Sequence, residues 1–257
     1  MMNRRQFAAA GAGTMLAGSM AGEPVKRSII ELRYLKMRTN NDNQMQRTSD
    51  FLNREAMPAL QRAGVQSMGF FASVIGPDSP FVLAVAQFGS LAEMETTREK
   101  QSRDAKYQKA LEAYVGGPLG YERLETSLLR SFESVPAIEV PPAKSGGRVF
   151  EVRMYESNNT LTLARKRKMF NDAEIAIFRK LGMRPVFFGE TIVGPKMPNL
   201  VYMLAFDSLA HREQAWSAFG NDPEWKELRS KAGNSDSELV SNISNSILRP
   251  LPFSPIK

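Results

Sequence analysis

Phe88-Gly89-Ser90-Leu91-Ala92 and Phe206-Asp207-Ser208-Leu209-Ala210 agree at four of five positions, 118 residues apart. Working outward, Ile75-Gly76-Pro77 returns as Val193-Gly194-Pro195, Gly64 as Gly182 and Tyr107 as Trp225, all at the same spacing. Phe51 and Phe170, and Leu129-Arg130 and Leu248-Arg249, lie 119 apart; Ile30-Glu31-Leu32-Arg33 and Phe150-Glu151-Val152-Arg153 lie 120 apart. Anchors that drift by only two residues define a tandem repeat, and a repeat decides the architecture before any single element is assigned.

The second copy is the easier to read. Residues 148–155 alternate Phe150, Val152 and Met154 with Glu151, Arg153 and Tyr155, which is a strand with two unlike faces. Asn159 or Thr160 can cap a helix that runs to Leu181, with Gly182 as its stop. Residues 184–193 and 200–206 are β-branched and aromatic runs joined by Gly194-Pro195-Lys196-Met197-Pro198, hence a hairpin. Ser208 caps a helix through Phe219, residues 224–231 add a short helix, and a last strand lies near residues 241–249. The first copy has the same order, with Pro58 expected to kink its first helix. Each copy is thus a ferredoxin-like β-α-β-β-α-β unit, α+β in class. Such a unit covers one sheet face with helices, and two units in one chain can close their open faces into a barrel. The expected organisation is residues 1–21 as an export signal, 28–133 as the first repeat, 134–147 as a Pro/Gly-rich linker and 148–250 as the second repeat.

Composition narrows the chemistry. The chain has 257 residues, 34 Lys+Arg, 27 Asp+Glu, one His and no Cys. Without Cys there are no disulfides, thiolate nucleophiles or Cys-ligated metals, and one His leaves no multi-histidine site, so no metal site is expected. No apolar run reaches the roughly 20 residues that span a bilayer, so no transmembrane segment is expected. The formal charge of +7 is spread along the chain without a nucleic-acid motif, so no nucleic-acid partner is expected.

Residues 1–21 hold Arg4-Arg5-Gln6-Phe7, an Ala/Gly run over 8–18 and Ser19-Met20-Ala21, the order of an export signal. The paired arginines resemble a twin-arginine signal, with Asn3 and Ala8-Ala9 departing from its usual residues. The expected location is periplasmic or extracellular.

Glu-Leu-Arg and Glu-Val-Arg on the first strands resemble the opening of NIPSNAP domains. So do the Gly-Pro hairpins followed by Ser-Leu-Ala, and Asn221-Asp222-Pro223-Glu224-Trp225 after the next helix. The first copy departs twice: Asp104-Ala105-Lys106-Tyr107 stands in place of Asp-Pro-Glu-Trp, and Leu35 occupies the position of Tyr155. The resemblance implies a pseudo-twofold dimeric α+β barrel, a superfamily that includes small monooxygenases, isomerase-like proteins and haem enzymes. It brings no catalytic motif with it.

Among single residues, His211 reads either as a haem ligand or general base, or as a solvated residue in a helix's first turn; haem therefore stays open as a cofactor. Arg165-Lys166-Arg167-Lys168, followed by Asp172 and Glu174, reads as a solvated helix face rather than a lipid or nucleic-acid contact. Phe70-Phe71 and Phe187-Phe188 suit a core or a cavity wall equally. The sharpest signal is Glu31, Arg33, Glu151, Arg153 and Tyr155. The charged face of each first strand should point into the barrel or out at a strand end. Pointing inward, these side chains are scaffold if paired and packed tight, and beside a void they converge on a small-molecule cavity where an Arg can clamp a carboxylate or enolate. A cavity is expected in at least one half, with the second repeat favoured because Tyr155 adds a hydroxyl there. Two functions follow: a binding protein, or a cofactor-free monooxygenase or isomerase-like enzyme. Outer surfaces are left for a homo-oligomer.

Overall fold

The computed structural model describes residues 25–39, 43–142, 146–231 and 233–257; residues 1–21, expected from sequence to be an export signal, lie outside this set. The first repeat comprises β1 (Ile29–Lys36), α1 (Gln44–Phe51), α2 (Met57–Ala63), β2 (Met68–Ile75), β3 (Phe81–Phe88), α3 (Leu91–Ser102), α4 (Ala105–Val115) and β4 (Arg123–Ser131). The second comprises β5 (Val149–Glu156), α5 (Thr160–Met169), α6 (Ile175–Lys180), β6 (Arg184–Val193), β7 (Asn199–Phe206), α7 (Leu209–Asn221), α8 (Pro223–Ser230), the short α9 (Asp236–Leu239) and β8 (Asn242–Pro250). Among the described residues no helix is long and apolar enough to cross a membrane.

The strands form one closed antiparallel barrel in the order β1-β3-β2-β8-β5-β7-β6-β4. Within it each repeat keeps its own four neighbours, last-first-third-second. The seams pair β2 with β8 and β4 with β6, and both seams carry a register shift. Closure leaves no free sheet edge. The barrel interior is filled from both repeats by Ile30, Leu32, Phe71, Leu83, Leu129, Phe150, Val152, Phe187, Met203 and Leu248, all buried.

Local chemistry explains the elements. Asn159 accepts from Leu161 N at 2.9 Å and Thr162 N at 3.0 Å, capping α5. Ser90 and Ser208 cap α3 and α7 through Glu93 N and His211 N. The helices before β2 and β6 stop alike: Val65 N donates to Leu60 O at 2.9 Å and Met183 N to Phe178 O at 3.0 Å, around Gly64 at φ 111° and Gly182 at φ 77°. A positive φ there favours glycine. Gly76 and Gly194 sit between the strands of their hairpins.

Pro58 is not what disturbs the first helix. A π-helical turn at Leu52–Ala56 separates α1 from α2, and Phe170–Glu174 separates α5 from α6 in the same way without a proline. The irregularity belongs to the repeat. Such turns widen a helix locally and are frequent beside functional sites.

The connector has no core of its own but is held by both repeats. Val135 and Ile138 are buried, Ile138 N donates to Gln87 Oε1 at 2.6 Å and Glu139 N to Val186 O at 2.8 Å. The tail after β8 crosses to the first repeat, where Ser254 Oγ accepts from Phe70 N at 2.9 Å and Ile256 joins the barrel core.

Candidate functional site

The charged face of each first strand does not point into the barrel. Ile30 and Leu32, Phe150 and Val152 do; Glu31, Arg33, Glu151, Arg153 and Tyr155 face outward, beneath the helices. Both faces of a barrel strand are covered here, so charge alternation separates two faces without saying which is inside. The helix side accepts the charges because helices bring partners to them, whereas at the level of Ile30, Leu32, Phe150 and Val152 the barrel interior is packed with apolar side chains.

In the second repeat that chamber is full. Glu151 Oε1 accepts from Arg153 Nη1 at 3.0 Å, Arg212 Nη2 at 2.6 Å and Asn245 Nδ2 at 2.9 Å. Its Oε2 accepts from Arg212 Nε at 2.9 Å and Trp216 Nε1 at 2.8 Å. Burial pushes this carboxyl upward, but Arg212, Arg153, Asn245 and Trp216 outweigh it and hold its pKa below the usual range. Arg153 lies 4.4 Å from the centroid of the Trp216 ring and reaches the Tyr155 hydroxyl at 3.4 Å. Tyr202 donates to the Tyr155 hydroxyl at 3.0 Å and stacks on Phe188 with centroids 4.7 Å apart. Phe178, Phe219 and Trp225 complete the filling. Tyr155 is therefore part of a packed aromatic core, not a cavity wall.

The first repeat keeps the strand residues and loses the filling. Strand pairing sets Arg153 opposite Tyr202 but Arg33 opposite Ala84. At the helix positions, Gln101 replaces Phe219, Arg98 replaces Trp216 and Tyr107 replaces Trp225. The result is a cavity of about 260 Å³ between the sheet and the helices. Its polar end is Glu31, Arg33, Arg98 and Gln101; its body is apolar and aromatic, with Leu35, Phe51, Leu60, Phe70, Ala84, Tyr107, Tyr114, Tyr121 and Leu124 among the lining residues. The sequence predicts a cavity in at least one half and favours the second; this one lies in the first.

Its geometry is set from several elements. Glu31 Oε1 accepts from Arg33 Nε at 3.1 Å, and Arg98 Nη2 donates to Glu31 Oε2, the oxygen whose counterpart takes the Trp216 indole. Arg98 Nη1 also donates to Gln101 Oε1 at 2.9 Å. Thr48 Oγ1 donates to Gly120 O at 2.7 Å and so receives the Tyr114 hydroxyl at 2.8 Å, while the Tyr114 ring stacks on Phe51 at 4.2 Å. Tyr107 and Tyr121 use neither hydroxyl on another described residue, and burial pushes the Tyr107 phenol upward. Arg33 keeps 38% of its side chain exposed, against 16% for Arg153.

The other sequence candidates are structural. His211 Nδ1 accepts from Asp207 N at 3.1 Å, and Glu93 Oε2 accepts from Gly89 N at 3.0 Å at the matching place. His211 lines neither the first-repeat cavity nor the barrel mouth, so a haem held by it does not fit either. The basic run is not a wholly solvated face: Lys166 is fully buried, 3.1 Å from Glu174 and 3.3 Å from Asp236, with the Phe170 ring at 4.9 Å. Burial alone would lower its pKa, but Glu174 and Asp236 raise it, so the ammonium stays charged. Glu174 is buried with it. Phe71 and Phe187 fill the barrel, while Phe70 and Phe188 face the helices. A smaller cavity of about 120 Å³ at one barrel mouth holds Tyr34, Lys36 and Glu125, but Lys36 is already paired with Asp78 at 2.7 Å and Glu125 at 2.8 Å. Among the described residues no cluster of His, Cys, Asp and Glu could hold a metal.

Sequence reasoning missed Arg98, Gln101, Tyr107, Tyr114 and Tyr121, and on the other side Arg212 and Trp216. The signal was present in the repeat itself. At a spacing of 118, Ala84 aligns with Tyr202 and Gln101 with Phe219, a loss of volume on one side only.

Comparison with known proteins bears on both halves. The NIPSNAP family model matches residues 30–123 and 150–255. No curated protein matches. Among solved structures, a protein of Lactobacillus acidophilus NCFM provisionally named a monooxygenase is 11% identical, with a TM-score of 0.58 over 87% of this chain and 94% of that one. A protein of Fusobacterium nucleatum with the same provisional name is 4% identical, with a TM-score of 0.59 over 88% of this chain and 93% of that one. An uncharacterised NIPSNAP-like domain protein of Burkholderia xenovorans is 28% identical over 42% of this chain and 89% of its own, with a TM-score of 0.38. At 11% and 4% identity the likeness shows a common fold and no more.

Proposed function

This chain belongs to the NIPSNAP family, with two copies of the family's domain in tandem, and from that premise we propose that it binds a small molecule in the cavity of its first repeat, one molecule per chain. The observation that carries this is the difference between the two chambers. The same Glu-x-Arg pair lies under aromatic packing in one and beside open space in the other. A mostly apolar cavity with a few converging polar groups is the usual form of a ligand site. At about 260 Å³ it suits a ligand smaller than a typical drug.

The test is titration with 2-naphthol at neutral pH, followed by calorimetry. One equivalent should bind, and Ala84→Phe, which restores the missing ring, should abolish binding with the fold intact by circular dichroism. No binding, two equivalents, or full binding by Ala84→Phe would refute the site.

An oxygenase or isomerase-like activity is the second reading. It is supported by the unengaged Tyr107 and Tyr121 hydroxyls of the lining and by the names of the two barrel neighbours. Dioxygen uptake that depends on a bound phenol, and is lost in Tyr107→Phe, would establish it.

Export by the twin-arginine route is also proposed, on residues 1–21 alone. Replacing Arg4 and Arg5 by Lys should hold the protein in the cytoplasm, and unchanged export of that variant ends the proposal.

A further inference from the structure

Taking the first-repeat cavity as the binding site, we infer that its ligand is a monoanion, a carboxylate or phenolate on an aromatic or otherwise apolar body, received by Arg33 at the polar end. Three observations support this.

The first is charge. The cavity wall carries two arginines, Arg33 and Arg98, and one carboxylate, Glu31. One formal positive charge is therefore left without a partner on that wall. The second chamber has the same three groups in Arg153, Arg212 and Glu151, but Lys166, Glu174 and Asp236 adjoin it and bring the total to zero. An excess positive charge beside apolar walls costs free energy unless an anion or water meets it.

The second is valence. Glu31 is paired with both arginines, Oε1 accepting from Arg33 Nε and Oε2 from Arg98 Nη2, so its charge is already met within the wall. Arg98 divides its terminal nitrogens between Glu31 and Gln101. Arg33 spends only Nε, and among the described residues neither of its terminal nitrogens donates a hydrogen bond. In Arg153 the corresponding nitrogens go to Glu151 and Tyr155. A guanidinium fixed at Nε, with both terminal N–H groups free, presents the planar fork that matches a carboxylate.

The third is the body of the cavity. Beyond the arginines the lining is Leu35, Phe51, Phe70, Ala84, Tyr121 and Leu124, with no further charge. A neutral apolar ligand would leave the arginine fork unmet, and a small inorganic anion would leave the apolar walls unfilled. The two ends together select an amphipathic acid.

The experiment uses the full chain and a matched pair of probes, 2-naphthoate and 2-naphthamide, alike in shape and different in charge. Naphthoate should bind about tenfold or more tightly than naphthamide, the range of a charge-assisted hydrogen-bond pair. Arg33→Met should remove that preference, lowering naphthoate affinity about tenfold or more toward that of naphthamide, with an unchanged circular-dichroism spectrum reporting that the variant is folded. Ala84→Phe should abolish binding of both. Equal affinities for the two probes in the wild type overturn the anion assignment while leaving the cavity a site. Preference for naphthoate that survives Arg33→Met overturns the role of Arg33. Failure of both probes to bind, or binding that persists in Ala84→Phe, refutes the cavity reading itself and this inference with it.

Discussion

Under α5 to α8, a strand pair Glu151/Arg153 is sealed by Tyr155, Tyr202, Trp216, Phe219 and Trp225; under α1 to α4, its copy Glu31/Arg33 faces Leu35, Ala84, Arg98, Gln101 and Tyr107. The order of elements is the same in both places, down to the π-helical turn on the first helix, apart from the short α9 that only the second repeat has. The rest of the difference is side-chain volume. One half commits the chamber to stability and the other leaves it open. A symmetric homodimer of single domains cannot divide the work in this way, because each substitution enters both halves at once. Joining the two domains in one chain removes that constraint.

The largest expected effect comes from undoing the packed half. Tyr202 is fully buried, stacked on Phe188 and hydrogen-bonded to Tyr155. Tyr202→Ala should cost about 3–5 kcal/mol in urea unfolding, from lost burial plus the cavity left behind. It also converts the second chamber to the first repeat's residue. If the comparison is sound, the variant gains a second equivalent of 2-naphthol, weaker than the first because Trp216 and Phe219 remain. A variant destabilised by less than about 1 kcal/mol would mean that the filling is not what holds this half together.

Next is the pair of carboxylates. Glu151→Gln removes the charge that five donors surround and leaves Arg153 and Arg212 in a buried site without it, so a loss of about 3 kcal/mol is expected. Glu31→Gln should cost about 1–2 kcal/mol, since only two arginines depend on it and Arg33 is partly solvated. Equal losses would remove the claimed asymmetry. The pH dependence adds a sign. Glu151 has a lowered native pKa, so its contribution is present above the unfolded carboxylate value of about 4.3 and is lost as pH falls through the native value. Glu151→Gln should therefore flatten the acid limb of the stability curve.

The repeat, the element order and barrel closure were legible because they depend on local signals: cap residues, helix-ending glycines and alternation within strands. Glu31 and Arg33 were legible as site residues, but not the face they occupy. Ile30 and Glu31 are both buried, so burial on two sides defeats an inside-or-outside reading of alternation. Lys166 misled for a related reason. Four charges in a row cover more than a helical turn, and one of them falls on the buried side whatever its type. Tyr155 promised a hydroxyl beside a void, yet the groups that fill that space come from β7, α7 and α8, far along the chain. Their joint volume is a tertiary property that no single segment announces.

The smallest expected effect concerns the sole histidine. His211 and Glu93 stand at the same helix position, and each reaches back to accept from a backbone N–H: Asp207 N at 3.1 Å and Gly89 N at 3.0 Å. An acceptor is all this place requires, and the imidazole supplies one through Nδ1 and serves as a cap. His211→Glu should keep the cap, add a favourable charge near a helix N-terminus and shift stability by no more than about 0.5 kcal/mol. His211→Ala leaves Asp207 N without its acceptor and should cost about 1 kcal/mol. Neither variant should alter naphthoate affinity, because His211 is not among the residues of the cavity. A tenfold loss of binding in His211→Glu with stability unchanged would mean that the two helix starts are not equivalent, and that the imidazole acts on the ligand across the barrel.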